Sequence, residues 1–492
     1  MGEHRAVEMD AEACYRAIAS RDRRFAGLFV VAVTSTRIYC RPGCPAPLPR
    51  RVNSRFFACA AAAEGAGFRP CRRCRPDASP GSPAWDGTSA SVGRALRLID
   101  AGALDGAGVE DLAARVGLGG RHLSRLFRER VGATPALVAR TRRVHFARRL
   151  IDDTALPMTE VALASGFASV RSFNHAVRQT FGRTPTELRR ASSARERLAP
   201  GVALALRLPF RPPYEKASLL SFLAARAVPG VEAVEGSTYR RTFALPDGRP
   251  AWLSVDLSQE DRARLRLSAF PGSRLLWVTE RVTRTFDLDA DPREVDARLS
   301  SDPLLSPLVA RRPGLRVPGA FDPFELAVRA VLGQQVSVAA ARTLARRIAE
   351  RHGSPAPWGD RGLSLVFPGA AALAGADLSG LGLTSRRAEA IRALSRAVAE
   401  GSLRLEAAPG LVERLASLPG LGRWTAEYVA LRAVSDPDAF PSGDLVLRRA
   451  VSADGRPVPE RELTRRAEAW RPFRAYAALH LWAAAAAEET SR

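Results

Sequence analysis

The chain has 492 residues, 46% hydrophobic and 25% charged, which supplies several cores and excludes a wholly disordered chain or a small disulfide-stapled scaffold. Its 74 Lys+Arg against 51 Asp+Glu leave a net charge of +23, and no apolar run reaches the ~18 residues that a membrane helix needs. That charge selects a polyanionic partner, nucleic acid ahead of a membrane because no basic amphipathic anchor stands out; Met1 to Asp10 has no apolar core of a signal peptide, so a cytoplasmic location is expected.

The basic surplus is strongest in the first part. Residues 1–200 carry 33 basic and 18 acidic side chains, a surplus of +15, and the remainder 41 and 33, a surplus of +8. All six cysteines lie there too: Cys14, Cys40, Cys44, Cys59, Cys71 and Cys74. Four of them form Cys40-x3-Cys44 and Cys71-x2-Cys74, separated by 26 residues, with turns at Pro42-Gly43 and Arg72-Arg73. Two close pairs joined by a loop suit one tetrahedral Zn²⁺ held by four thiolates. Taken alone, such a pattern is most often a purely structural site. Cys14 and Cys59 lack such partners and are expected to be buried or spare.

After Pro76 to Ala90, a Pro/Ser/Gly/Asp-rich linker, a helical stretch repeats itself. Gly132-Ala133-Thr134-Pro135 recurs as Gly182-Arg183-Thr184-Pro185 at a spacing of 50, and Gly117 as Gly166 at 49. Each copy has a short helix, a Gly turn and a second amphipathic helix, the helix-turn-helix plan. Leu123, Leu126 and Phe127 face inward in the first copy, leaving Arg121, His122, Arg125 and Arg128 outside. Phe173 and Val177 do so in the second, leaving Arg171, Asn174, His175 and Arg178 outside. Arg pairs with guanine edges and Asn with adenine, so Arg121, Arg125, Arg171 and Asn174 are candidate DNA contacts. Arg at helical spacing is also an ordinary solvated face, and the duplication is what favours DNA.

Ala191 to Pro200 reads as a second linker. Strand-like segments follow to about residue 295, with a hairpin predicted for Tyr239 to Leu245 and Trp252 to Leu257 around Pro246-Asp247-Gly248. From 296 onward the pattern is helical. Leu418-Pro419-Gly420-Leu421-Gly422 precedes a helix, and its glycines let backbone amides approach a DNA phosphate. Asp444 stands 22 residues after Gly422 and is either a carboxylate catalyst or the N-cap of the helix behind it.

Residues 10–77, with Arg37-Ile-Tyr-Cys-Arg-Pro-Gly-Cys44 and Phe68-Arg-Pro-Cys-Arg-Arg-Cys74, resemble the zinc module of Ada-type alkylation repair proteins. The resemblance implies that Cys40 accepts a methyl group from a DNA methylphosphotriester, making methylation an electrostatic switch as well as a repair. Residues 88–190 resemble the AraC-type DNA-binding domain. Arg207 to Pro213, Phe222 to Val228, Phe321 to Ser337 and Ala475 to Trp482 resemble, across about 203–485, AlkA-type 3-methyladenine glycosylases of the helix-hairpin-helix superfamily. That likeness implies Asp444 as the catalytic carboxylate, a base pocket from Trp424, Tyr428, Trp482, Gln334 and Phe222, and phosphate contacts at Gly420 and Gly422.

Superfamily members that also cleave the strand carry lysine where Trp424 stands, so simple hydrolysis to an abasic site is expected. No cysteine follows Cys74, which removes the iron–sulfur ligands of some relatives. Two departures touch substrate range: Gln335 takes the place of a frequent apolar wedge, and Leu445 follows the aspartate where an aromatic is expected. The Pro-Cys-His-Arg methyltransferase site usual in Ada is absent.

The expected fold is therefore multidomain α+β: a zinc module (1–80), an all-α paired helix-turn-helix domain (88–190), a β-rich subdomain (200–295) and a helical helix-hairpin-helix glycosylase core (296–492). The expected activity is hydrolytic release of alkylated purines, joined to methyl acceptance and transcription control. Expected partners are double-stranded, alkylated and promoter DNA and RNA polymerase, for a monomer at the nucleoid. The alternative is a DNA-binding regulator whose glycosylase half only binds.

Overall fold

The computed structural model describes residues 10–21, 25, 29–44, 46–71, 74, 76, 90–192, 198–245, 247–358, 362–452 and 454–490. Most of the first expected linker, part of the second, Arg72-Arg73 and Pro246 lie outside them. The chain forms two compact units, 1–197 with 272–280, and 198–271 with 281–492.

The first unit opens with a four-stranded sheet ordered Ser54–Phe57, Val30–Val33, Ile38–Cys40 and Arg69–Pro70. The last two pair in parallel, Ile38 with Arg69 and Tyr39 with Pro70, which brings the residues after each strand side by side. Short helix Ala60–Gly65 packs on the long helix Pro135–Asp153. Cys59, Ala61 and Ala62 share one core with Leu112, Leu123, Phe127 and Val138, so the sheet module and the helices bury a common apolar surface.

The duplication has a direct local cause. Gly132 and Gly182 both take positive φ, at 74° and 66°. Thr134 and Thr184 then cap the next helix by accepting from Leu137 and Glu187 amides, and the following prolines occupy its first turn. The second helices of the two copies are Gly120–Arg130 and Val170–Phe181. Leu123, Phe127, Phe173 and Val177 are fully buried and Leu126 packs against the core. Arg121, His122, Arg125, Arg128, Arg171, Asn174, His175 and Arg178 are exposed, as the periodicity predicts.

In the second unit, a five-stranded antiparallel sheet runs in the order Leu204–Pro209, Arg262–Leu267, Pro250–Asp256, Thr238–Ala244, Glu232–Glu235. The expected hairpin is its Thr238–Ala244 and Pro250–Asp256 pair. Two helical cores follow, one around Leu326, Ile348, Ile391 and Val429, the other around Val295, Leu447, Trp470 and Tyr476. A buried ionic cluster ties sheet to helix: Arg241 donates to Glu325 (2.6 Å), Arg329 to Glu232 (2.8 Å) and to Glu325 (2.9 Å). Burial opposes the Glu232 charge, but Arg329 and Arg241 outweigh it and hold the carboxyl down at about 2. Among the described residues no helix is long and apolar enough to cross a membrane.

Candidate metal centre and active site

The four predicted ligands converge. One sulfur each from Cys40, Cys44, Cys71 and Cys74 lies within 4.8 Å of the others, and Cys44 Sγ to Cys71 Sγ is 3.9 Å. Tetrahedral Zn²⁺ with bonds of ~2.3 Å places its sulfurs about 3.8 Å apart, so the spacing fits the metal. None of the six cysteines is in a disulfide; Cys14 is buried in the same apolar core as Cys40, Cys71 and Cys74, and Cys59 in the core shared with the helices. Hydrogen bonds with Cys71 and Cys74, then burial, push the Cys40 thiol far up, so a cation is needed to make a thiolate at neutral pH. These four cysteines hold one zinc.

Beside this cluster opens a cavity of about 680 Å³, lined by Cys40, Cys44 and Cys71 but not Cys74, with Arg21, Arg41 and Arg69 at its walls. The parallel strand pairing explains the arrangement, since Cys40 ends one strand and Cys71 follows the other.

The second site forms at the hairpin. Helices Leu411–Ala416 and Arg423–Ala433 flank Leu418 to Gly422. Gly420 sits at φ 78°, where a Cβ would stand 2.8 Å from Ala390 Cβ, whereas a Cβ on Gly422 would meet nothing. Asp444 is the N-cap of Leu445–Ala450, its Oδ1 accepting from the Leu447 amide at 2.9 Å. It is also more than a cap. The Trp482 indole N–H donates to Oδ1 at 3.1 Å and the Trp424 indole N–H to Oδ2 at 2.9 Å. Trp424 stacks on Tyr428 with ring centres 5.4 Å apart at 12°, and Tyr428 meets Trp482 edge-on at 6.3 Å. Two of the predicted aromatics thus hold the predicted carboxylate, and the third packs against both.

Gln334 is engaged differently. Its side-chain amide donates to Gly420 O at 3.0 Å and Thr425 Oγ1 at 2.9 Å, which braces the hairpin. Gln335 is exposed at φ 54°, a strained tip after helix Pro323–Leu332. Phe222 is covered by guanidinium groups, Arg226 at 3.7 Å and Arg432 at 4.6 Å from its ring centre. These two arginines were not singled out from the sequence. Arg432 also donates to the Tyr428 hydroxyl at 2.8 Å. Burial pushes that phenol up, yet the Arg432 and Arg226 charges prevail and lower it from its ordinary value. A sequence signal existed: Arg226 is four residues from Phe222, and Arg432 four from Tyr428 and eight from Trp424, spacings that share a helix face.

Four family models match: the metal binding domain of Ada over 13–77, a helix-turn-helix domain over 112–191, the AlkA N-terminal domain over 205–322, and the HhH-GPD superfamily of base excision DNA repair proteins over 328–474. A probable bifunctional transcriptional activator/DNA repair enzyme AlkA of Mycobacterium tuberculosis is 46% identical over 478 residues, 96% of each chain. DNA-3-methyladenine glycosylase 2 of Escherichia coli is 38% identical over 282 residues, 56% of this chain and 95% of that one. Among solved structures, a 3-methyladenine DNA-glycosylase from Archaeoglobus fulgidus superposes with a TM-score of 0.51 at 26% identity, covering 57% of this chain and 98% of the other.

Proposed function

Because the chain belongs to the family of bifunctional activator and repair proteins that join an Ada-type zinc module to an AlkA-type glycosylase, we propose that its two sites divide the chemistry of alkylated DNA between them. The protein is a DNA-3-methyladenine glycosylase with a methyl-accepting zinc module and a helix-turn-helix DNA-binding domain. The observation that carries the residue assignment is the Asp444 carboxylate held by the indole N–H groups of Trp424 and Trp482.

Asp444 is the catalytic carboxylate. Alkylation at N3 or N7 makes a purine cationic and a good leaving group. As the glycosidic bond breaks, its electron pair leaves with the base and positive charge develops on the sugar. A carboxylate beside the sugar stabilises that charge, takes a proton from the attacking water, and leaves an abasic site. The two indole N–H groups fix the carboxylate without neutralising it. Trp424, Tyr428 and Trp482 supply the π faces for a cationic purine, with Phe222 at the edge. Trp424 in place of a lysine amine leaves no Schiff-base route, so the reaction is hydrolysis. Gly422, open to the outside, and Gly420 bring hairpin amides to a phosphate.

Cys40 is the methyl acceptor by its motif position. Bound zinc supplies a stable thiolate at neutral pH. A sulfur lone pair attacks the methyl carbon of a methylphosphotriester; the S–C bond forms, the C–O bond breaks, and its electron pair stays on the phosphate as a diester anion. Arg121, Arg125, Arg171 and Asn174 present the DNA-reading face. Promoter binding, recruitment of RNA polymerase, a monomeric state and action at the nucleoid in the cytoplasm complete the proposal.

Two measurements test it. Release of 3-methyladenine from alkylated DNA should fall at least about 100-fold in Asp444→Asn. That variant retains an oxygen for the helix cap and Trp482 but leaves the Trp424 N–H without its acceptor, so it should stay folded with a melting temperature lowered by only a few degrees; an active Asp444→Asn refutes the carboxylate assignment, and an inactive wild type favours a glycosylase half that only binds. Peptide mass mapping after exposure to methylphosphotriester DNA should place one methyl group on Cys40, and a methyl on Cys44 or Cys71 would reassign the acceptor.

A further inference from the structure

The cavity beside the zinc ligands is not built by the zinc module alone. Phe181, the last residue of helix Val170–Phe181, lines it together with Cys40, Cys44 and Cys71. The next residue, Gly182, ends that helix at φ 66°, and a Cβ there would collide with the guanidinium of Arg69, itself a wall of the cavity. Both the last side chain of the helix and its terminating glycine therefore abut the acceptor site.

A second route joins the same two points. The Phe181 ring meets His145 edge-on, 5.8 Å between centres. His145 Nε2 lies 2.9 Å from Glu64 Oε1 and 3.3 Å from the Tyr39 hydroxyl, which donates to Glu64 at 2.8 Å. Thr141 donates to the other Glu64 oxygen at 2.9 Å. Tyr39 is fully buried and immediately precedes Cys40 on the strand. Zinc ligand, strand, buried carboxylate, long helix and the second helix of the repeat thus form a chain of contacts whose two ends, Cys40 and Phe181, meet again at the cavity.

Resting on the assignment of Cys40 as acceptor, we propose that Phe181 is part of the methyl-acceptor site: it holds the phosphotriester methyl against the Cys40 sulfur, and it registers the S-methyl group at the end of the DNA-reading helix. The apolar ring excludes water from the attack line and limits the approach of the ester. Once sulfur carries a methyl group, an apolar group replaces an anionic sulfur surface in the same cavity, and the ring at the helix terminus is one of its walls.

The test uses the full-length, zinc-loaded chain. Methyl transfer from methylphosphotriester DNA is followed by intact mass for wild type, Phe181→Ala and Phe181→Leu. Zinc content and melting temperature serve as controls for folding. Phe181→Ala should slow transfer about five-fold or more, because misplacing a reacting group costs rate steeply, while Phe181→Leu keeps an apolar wall and stays near wild type. In parallel, 4-fluorophenylalanine placed at position 181 should show a shifted ¹⁹F resonance once Cys40 is methylated. Transfer at the wild-type rate in Phe181→Ala, or a resonance that does not move on methylation, overturns the inference. If wild type itself gains no methyl at Cys40, the acceptor assignment fails and the inference falls with it, an outcome distinct from the other two.

Discussion

Asp444 shows what one residue's position in sequence reveals and what it hides. The spacing of 22 from Gly422 marks it, and the structure makes it the N-cap of the helix behind it. Hidden was the use of Trp424 and Trp482 as hydrogen-bond donors to that carboxylate, because periodicity reports which face a residue occupies and not where an indole N–H points. Equally hidden was the reach of Gln334, 90 residues before Trp424, whose side-chain amide donates to Gly420 O and Thr425 Oγ1 of the hairpin. Two residues before Trp482, His480 is 1% exposed and neither ring nitrogen has a hydrogen-bond partner. Burial, helped by the Arg312 charge, lowers its pKa to about 4. An unfolded histidine titrates near ~6.5, so between those values the unfolded chain binds a proton that the folded one refuses. Stability from this group is complete above pH ~6.5 and falls until about 4, with about 2 kcal/mol lost by pH 5. Asp287 and Asp296, raised by burial to about 6 each, slope the other way. The difference between wild type and His480→Leu isolates the histidine: on going from pH 7 to pH 5 the wild-type urea midpoint should move toward lower urea relative to that of His480→Leu, by the equivalent of about 2 kcal/mol, and identical movements refute the assignment.

At the scale of elements, turns were read well because their chemistry is local. Gly-x-Thr-Pro predicts its own structure: a left-handed glycine closes one helix, threonine caps the next, and proline starts it. The ionic cluster of Glu232, Arg241, Glu325 and Arg329 was invisible, since its members come from two strands and a helix up to 97 residues apart. The hairpin glycines looked alike in sequence, yet the structure separates them. Gly420 is constrained twice, by φ 78° and by Ala390 2.8 Å from any Cβ; Gly422 has an ordinary φ and free space. Gly420→Ala should cost about 1–2 kcal/mol for its left-handed backbone alone, and more for the clash. Gly422→Ala, at the N-cap of Arg423–Ala433 where alanine is a poor cap, should cost no more than about 1 kcal/mol, while weakening affinity for duplex containing an abasic-site analogue, because the methyl group intrudes only where DNA approaches. Thermal melts paired with DNA titrations check both, and unaltered affinity in Gly422→Ala would make that glycine a matter of turn geometry alone.

The whole chain holds its chemistry in two compact units, and the metal belongs to one of them. Charge and cysteine placement made this legible, since every cysteine precedes residue 75 and the basic surplus concentrates in the first 200 residues. What the sequence lacked was the shared core of Cys59, Ala62, Leu123 and Phe127, which makes the zinc module and the helix-turn-helix helices one folding body. Removing zinc should therefore act beyond the four sulfurs. The strands carrying Cys40 and preceding Cys71 pair at only two positions, Ile38 with Arg69 and Tyr39 with Pro70, so the metal bonds rather than the ladder hold them. Apo protein should lose methyl acceptance and loosen its DNA-reading helices, because zinc binding energy is folding energy in so small a sheet. The carboxylate, its tryptophans and the hairpin lie in the other unit and contain no ligand. Release of 3-methyladenine after chelation should stay within about two-fold of the zinc-loaded rate under substrate saturation, where DNA affinity no longer limits turnover. Glycosylase activity that decays in step with zinc loss, and returns with added zinc, would show that the second unit depends on the first for its fold.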